Sequence, residues 1–537
     1  MMLGLSPSDQ QGWARDTDYP SIHHPGCGVD SCKRGLPRIV IAINGHEIRL
    51  DEGEGLLPWR EYDDIVSLAM EFIRRCPKDP ATGLPWYLAY SCFWTDPPRP
   101  VDWPDNPAGK FGMASEALLR YYAYSGQDWT IEVLETMLDR LIEFHTPTSF
   151  AWPQVPFASA EPGKGVYFGA RADGHFVTEP DKIAQAALAY LALYKSTGEE
   201  GYLLHAQGCA DVLAEKIRPG DEHNSPWPFR VDVRDGRIVE AYSSHVVASI
   251  RLFDELLHLS PEAPEAYRQA RHLAWNWLVS YPLRNHIWKG YFEDIRLDPE
   301  NMNRDQYSPL ETARYLLLHP ESDPEWQAHA RELIEWVCTT LGADPFYKAI
   351  PIHEQLYCYH VMGSHTARYA SLCALLAEKS GDEAFAERSL RGFNWATYMA
   401  DDEGLVRVGI DRPDYYNQCW FTDGYFDYVP HFIEGMASLP ETAPAQVDHL
   451  LRSSSVIQQI AYRPMQIRYR TYDAEAFERL RLSFIPKVVR VGGKPISPTE
   501  VDRPESGWDF DPELGVLNVH HLLNDVEISG REGERQE

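Results

Sequence analysis

The sequence predicts a mainly α fold: an (α/α)6 toroid of six helical hairpins, with a short N-terminal β element and a small C-terminal β domain. Three observations predict it. Helix-length segments with apolar residues at 3.6-residue spacing recur in pairs from residue 61 to about 437. The first of each pair is rich in Ala, Ser, Gly and Leu, as suits a helix surrounded by others, and the second is amphipathic and charged, as suits one facing water. The link inside a pair is short and the link before the next pair is long and aromatic, so six long links gather at one end of the ring.

In chain order, LPRIVIAINGHEIRL from Leu36 to Leu50 alternates around Asn44-Gly45, a hairpin signal. Glu61 to Arg75 carries helical spacing, and a Pro/Trp-rich stretch containing Trp103 follows. The first hairpin joins FGMASEALLRYYAYSG to TIEVLETMLDRLIEFH through Ser125-Gly126. Four further pairs begin at Ile183, Ser243, Tyr307 and Gly363, and a last helix, Asp423 to Ala437, takes Glu61–Arg75 as its outer partner. An open TPR- or HEAT-like array is disfavoured because the count stops at six and the first helix supplies the partner of the last. Beyond Pro444 the helical period gives way to strand-like runs at 457–473, 480–493 and 515–529. The expected organisation is an extension over 1–58, a catalytic toroid over 59–443, a β domain over 444–529 and a disordered tail over 530–537.

Among the 537 residues, 44% are hydrophobic and 24% charged, a composition of ordinary globular proteins. The formal charge of -30 repels phosphate backbones and anionic membranes, so neither nucleic acid nor membrane is an expected partner. No run of about 18 apolar residues occurs. Met1 to Asp16 lacks a signal-peptide pattern, which gives a cytoplasmic expectation, or a secreted or periplasmic one if a leader has been trimmed. The nine cysteines are mostly isolated in apolar runs, like Cys209, Cys338 and Cys373, and read as reduced core residues. His23, His24, Cys27 and Cys32 form one cluster, but their spacing matches no standard zinc pattern. Neither metal nor cofactor is expected.

Inner-helix N-termini favour developing negative charge, so the chemistry is sought in the links that lead into them. The second link offers Arg171, Asp173 and His175, while Glu179-Pro180-Asp181 reads as a helix start. The third offers Glu240, Tyr242 and His245, with Ser243 or Ser244 as a cap. The fourth is dense in polar groups, among them Asn303, Arg304 and Asp305, without EF-hand spacing. The fifth interleaves His353, Glu354, Tyr357, Tyr359, His360 and His365, a pattern hard to assign to packing. The sixth places Asp423 at an expected N-cap and Asp427 one turn later, among Trp420 and Tyr425. A carboxyl in an aromatic setting acquires a raised pKa and can act as a general acid.

The paired helices from Glu61 to Ala437 resemble the six-hairpin glycosidase superfamily, which includes glycoside hydrolases, sugar epimerases and polysaccharide lyases. The resemblance is one of architecture. It implies a carbohydrate substrate, with hydrolysis by two carboxyl groups as the leading expectation and Asp173, Glu354, Asp423 and Asp427 as candidates. Elimination at a uronate is the alternative, with Tyr242, His245, His353, His365 and Arg171 in the corresponding roles. His175, His360, Tyr359, Trp420, Tyr425, Asp427 and Trp103 would then contact substrate. A non-catalytic glycan-binding toroid is the third reading.

Overall fold

The computed structural model describes residues 42–531 except 92, 103–105, 169, 172–173, 290–302, 357–359, 411–417 and 500–504. The cluster of His23, His24, Cys27 and Cys32 lies outside them. Asn44 and Gly45, both at positive φ, turn the two-residue strands Ala42–Ile43 and His46–Glu47 into a hairpin.

The helices in chain order are α1 (Tyr62–Arg74), α2 (Trp86–Ala89), α3 (Pro107–Ser125), α4 (Trp129–Glu143), α5 (Pro180–Thr197), α6 (Glu200–Lys216) and α7 (Val247–Leu259), followed by α8 (Glu265–Leu278), α9 (Tyr307–Leu318), α10 (Trp326–Leu341), α11 (Gly363–Ser380), α12 (Glu383–Thr397) and α13 (Val429–Ser438). The odd-numbered helices from α3 to α13 form an inner ring, each packed on the next, and α13 closes back on α3. The even-numbered helices from α4 to α12 pack outside their partners, and α1 packs on α13. The ring is closed.

Composition explains which helix lies where. Helix α11 is buried without interruption from Gly363 to Ala377, whereas α10 buries one stripe, Ala330, Leu333, Ile334, Val337 and Leu341. Small residues let the inner helices approach closely: a Cβ at Gly112 of α3 would stand 3.0 Å from the backbone carbon of Gln185 in α5. Left-handed glycines at Gly126 and Gly381 end α3 and α11 and turn the chain at once into the outer helix.

The last inner helix departs from the sequence expectation of a continuous helix from Asp423. A π-helical turn, Thr422–Phe426, comes first, and α13 begins at Val429. Pro430 has no N–H to continue an earlier ladder, so it serves as a first-turn residue of a new helix.

Beyond the ring, strands His449–Ser453, Ala476–Arg481, Val516–His521 and Gly507–Asp511 form one antiparallel sheet in that spatial order. A second sheet runs Ile457–Arg463, Gln466–Thr471, Asp525–Arg531, Ile485–Val491, Lys494–Ile496. Ile467, Val489 and Ile528 of one pack with Leu480, Leu517 and Val519 of the other in a shared core. Pairing with Ile485–Val491 carries the last strand to Arg531, past the boundary at 529 expected from sequence. The sandwich sits on the C-terminal ends of the inner helices. Tyr462 Oη donates to the Ala123 carbonyl, the Gln458 amide to the Lys195 carbonyl and the Arg479 guanidinium to the Ala437 carbonyl. It therefore covers the end of the ring opposite the long links.

Within the sandwich His521 Nε2 lies 2.9 Å from the buried Glu478 carboxylate. Burial alone lowers the His521 pKa, but the bond to Glu478 outweighs it and leaves the pKa raised. A raised folded-state pKa gives stability that is full below the unfolded value, about 6.5, and lost as pH rises through the folded value. Urea unfolding of the full chain is expected to show a midpoint that falls over that window. The window should vanish in His521→Gln; an identical pH dependence in that variant would remove the pair as its source.

Candidate active site

The site takes shape where the first turn of α11 meets the turn preceding α13. Ser364, His365 and, one turn later, Arg368 lie near the start of α11, and Asp423 and Asp427 come from the broken sixth link. His365 Nδ1 lies 3.6 Å from Asp427 and its Nε2 lies 4.0 Å from Asp423. Ser364 Oγ is 3.3 Å from both the Asp423 carboxylate and His365 Nδ1. Asp427 is also bound by the Arg368 guanidinium and lies 3.2 Å from His431 Nε2, one turn along α13.

The two carboxyl groups have opposite electrostatic fates. Burial raises the Asp423 pKa, and the neighbouring Asp427 charge adds to the rise against His365, Lys110 and Arg368. Burial acts on Asp427 in the same sense, but the Arg368 charge and the two imidazoles overcome it and hold that carboxyl far below its usual range. Asp427 is thus a fixed anion that orients His365. Asp423, whose side chain is 17% exposed against 7% for Asp427, is the more accessible of the two and the one whose pKa is raised.

The fifth link lies alongside. His360 Nε2 is 3.8 Å from Glu354, and burial with the nearby His365 and His353 pushes the His360 pKa down to about 3. His353 Nδ1 contacts the Leu341 carbonyl at 2.9 Å, and burial lowers its pKa to about 4. Both imidazoles are held neutral. From the third link, His245 Nδ1 is 2.8 Å from Ser308 Oγ, which lies 3.2 Å from Asp305.

Other expected residues are placed elsewhere. Tyr242 is 1% exposed, donates to the Ile287 carbonyl and packs on Trp277. Tyr425 donates to the Gly404 carbonyl and packs between Phe72 and Trp94. Trp420 stacks on Phe93, with Lys110 Nζ 4.9 Å from its ring centre. Asp173, Tyr359 and Trp103 lie outside the described residues. For Arg171 and His175 only the backbone is described, in the paired strands Ala170–Arg171 and Gly174–His175.

Three capping expectations are corrected. Glu179 precedes α5 without a capping bond; its carboxylate instead takes Arg230 at 2.6 Å and Asn106 at 2.7 Å, all three buried. Ser243 accepts from the His245 N–H and Ser244 donates to the Lys289 carbonyl, while α7 starts after Val246. Asp423 takes Ser364 instead of a backbone N–H. For Glu179, Ser244 and Asp423 a partner from another segment competes successfully with the local cap, whereas Ser243 makes a local turn bond ahead of the helix.

Sequence reading missed the cations. Arg368, Lys110 and Lys182 are buried at the upper ends of inner helices. The signal was present: a charge within a helix as small and apolar as that around Arg368 has no water-facing side, so it requires a buried partner.

His365, Asp423 and Asp427 offer ligand atoms within 4.8 Å of one another, a group that could hold a metal ion. Asp427 is already committed to Arg368, whose charge opposes a divalent cation at the same place. Among the described residues no helix is long and apolar enough to cross a membrane.

No protein-family model matches this sequence, and no curated protein matches it. Solved structures do share its fold. A D-mannose isomerase is 12% identical with a TM-score of 0.51, over 70% of this chain and 97% of that one. A sugar epimerase from a ruminal bacterium is 13% identical with a TM-score of 0.50, over 70% and 98%. A cellobiose 2-epimerase from Spirochaeta thermophila is 12% identical with a TM-score of 0.50, over 71% and 96%. At such identity the likeness is one of fold: the chain shares the (α/α)6 toroid architecture of these structures.

Proposed function

We propose that this protein is a carbohydrate-active enzyme that moves a proton at the carbon beside a sugar carbonyl, an isomerase or epimerase of reducing saccharides. The observation that carries the reading is the order Asp427–His365–Asp423: an imidazole oriented by a fixed anion on one side and facing a carboxyl of raised pKa on the other. His365 Nε2 takes the proton from C2 as Asp423 gives its proton to the carbonyl oxygen, leaving a neutral enediol. Return of the proton from His365 to C1 yields the ketose; return to C2 after the enediol has turned about its C2–C3 bond, so that its other face meets His365, yields the epimer. In both cases Asp423 recovers its proton from an enediol hydroxyl. The structures of similar fold quoted above are an isomerase and two epimerases, which favours this reading.

Hydrolysis is the second reading, favoured by two carboxyl groups whose pKa values are pushed apart. It requires Asp427 to act on water or sugar while bound to Arg368 and His431. Incubation of the full chain with mannose, glucose and cellobiose in D2O separates the two. Deuterium at C2 with a new ketose or epimer is expected; new reducing ends without exchange would replace isomerisation by hydrolysis. Absorbance from an unsaturated uronate on acidic glycans would indicate elimination. Because Asp423 acts in its protonated form, activity should fall as pH rises through its elevated pKa, and Asp423→Asn should remove that limb. A limb unchanged in Asp423→Asn would exclude it as the acid.

A further inference from the structure

Below the Arg368–Asp427 pair the ring is hollow. A chamber of about 750 Å3 runs along the whole length of α3, α5, α7 and α9, from Tyr307 and Asp427 down to the β sandwich. Its lower rim includes His258, whose side chain is 74% exposed, and Phe477 of the sandwich, also exposed, so it opens away from the candidate active site. The volume falls within the usual range for small-molecule sites.

Its lining is charged in an unusual way. Arg120, Arg314 and Arg368 each bind a carboxylate, yet Arg251, on the same wall, has no hydrogen bond and no carboxylate within 4.0 Å among the described residues. Glu116, Glu311 and Glu255 surround it at longer range and raise its pKa against burial. Such a guanidinium inside a protein needs hydrogen-bond acceptors from whatever fills the space around it. Acidic side chains outnumber basic ones along the chamber, which disfavours an anion. A forked donor among carboxylate acceptors instead complements hydroxyl groups, each of which both donates and accepts.

We propose that the axial chamber is a second saccharide site, taking a neutral mono- or disaccharide from the β-sandwich face with Arg251 as its central donor. The site is separate from the chemistry assigned to His365 and Asp423, neither of which lines it. Calorimetry and saturation-transfer NMR with glucose and cellobiose test it on the full chain. Ala248 and Ala192 are partly exposed into the chamber, so Ala248→Trp or Ala192→Trp fills it without displacing core. In His365→Ala, where turnover is disabled, saccharide binding should persist. Of the two binding events then expected, one at the catalytic site and one in the chamber, the chamber's should weaken about ten-fold or more in Arg251→Met and be lost in both tryptophan variants, with the other unchanged. Binding unaffected by all three substitutions would overturn the proposal, as would a chamber holding only water, seen as no saccharide signal sensitive to them. Turnover without chamber binding would defeat this inference alone, and chamber binding without turnover would defeat the catalytic reading alone.

Discussion

Replacing His365 with alanine is expected to lower kcat on a reducing sugar by about a hundred- to ten-thousand-fold, the usual contribution of a positioned proton-transfer group. The geometry explains the size: Asp427 holds one ring nitrogen at 3.6 Å, which leaves the other as the group free to meet substrate beside Asp423. Because the imidazole supplies proton transfer more than binding, KM should change little. Deuterium exchange at C2 should fall in parallel with kcat. Asp427→Asn should give an intermediate loss, since it keeps the ring in place but removes the charge that orients and supports it. Near-normal exchange in His365→Ala would remove this residue as the base and shift attention to His245, the described histidine of the third link.

Replacing Arg368 with leucine is expected to destabilise the chain by about 3–5 kcal/mol, the cost of stranding a buried charge. Arg368 is 2% exposed and bridges Asp427 to Glu311, which lies 3.3 Å from its Nε. With the guanidinium gone, Asp427 retains only the imidazoles of His365 and His431, and burial holds the His431 pKa down at about 4 in the native chain. Urea unfolding at neutral pH measures the loss. In the native chain the depressed Asp427 pKa gives stability that is present above its unfolded value and lost as pH falls through the folded one. The variant lacks that term, so its deficit should narrow in acid, where protonation removes the stranded charge. Arg368→Leu combined with Asp427→Asn should recover much of the loss. A deficit that is flat with pH and unrelieved in the double variant would trace it to lost packing of the arginine over Tyr307, whose ring centre lies 4.6 Å away.

Much of the ring was legible because its signals are local. The start predicted for α9, Tyr307, is the start observed, and Gly126 and Gly381 mark their turns by backbone conformation alone. Of the residues singled out in the fifth and sixth links, His365, Asp423 and Asp427 lie together in the structure. The roles of such residues were not legible. Glu179 and Asp423 carry the local marks of helix caps, yet Arg230 and Ser364, 51 and 59 residues away, decide what they bind. Tyr242, three residues before His245, turns its hydroxyl to the Ile287 carbonyl.

The sequence by itself determined the architecture: helix periodicity, the contrast between small-residue and amphipathic helices, the count of six and the C-terminal strands. These depend on the burial of a helix face or strand face, which each segment encodes in its own composition. Only the tertiary structure decided which charges face one another: that Arg368 neutralises Asp427, that Asp423 stays beside His365 as a carboxyl of raised pKa, and that Arg251 lines a hollow axis with no carboxylate within 4.0 Å among the described residues. The reason is physical. A charge buried in a helix is stable or reactive according to partners that other helices bring within a few ångströms, and no single segment contains that information.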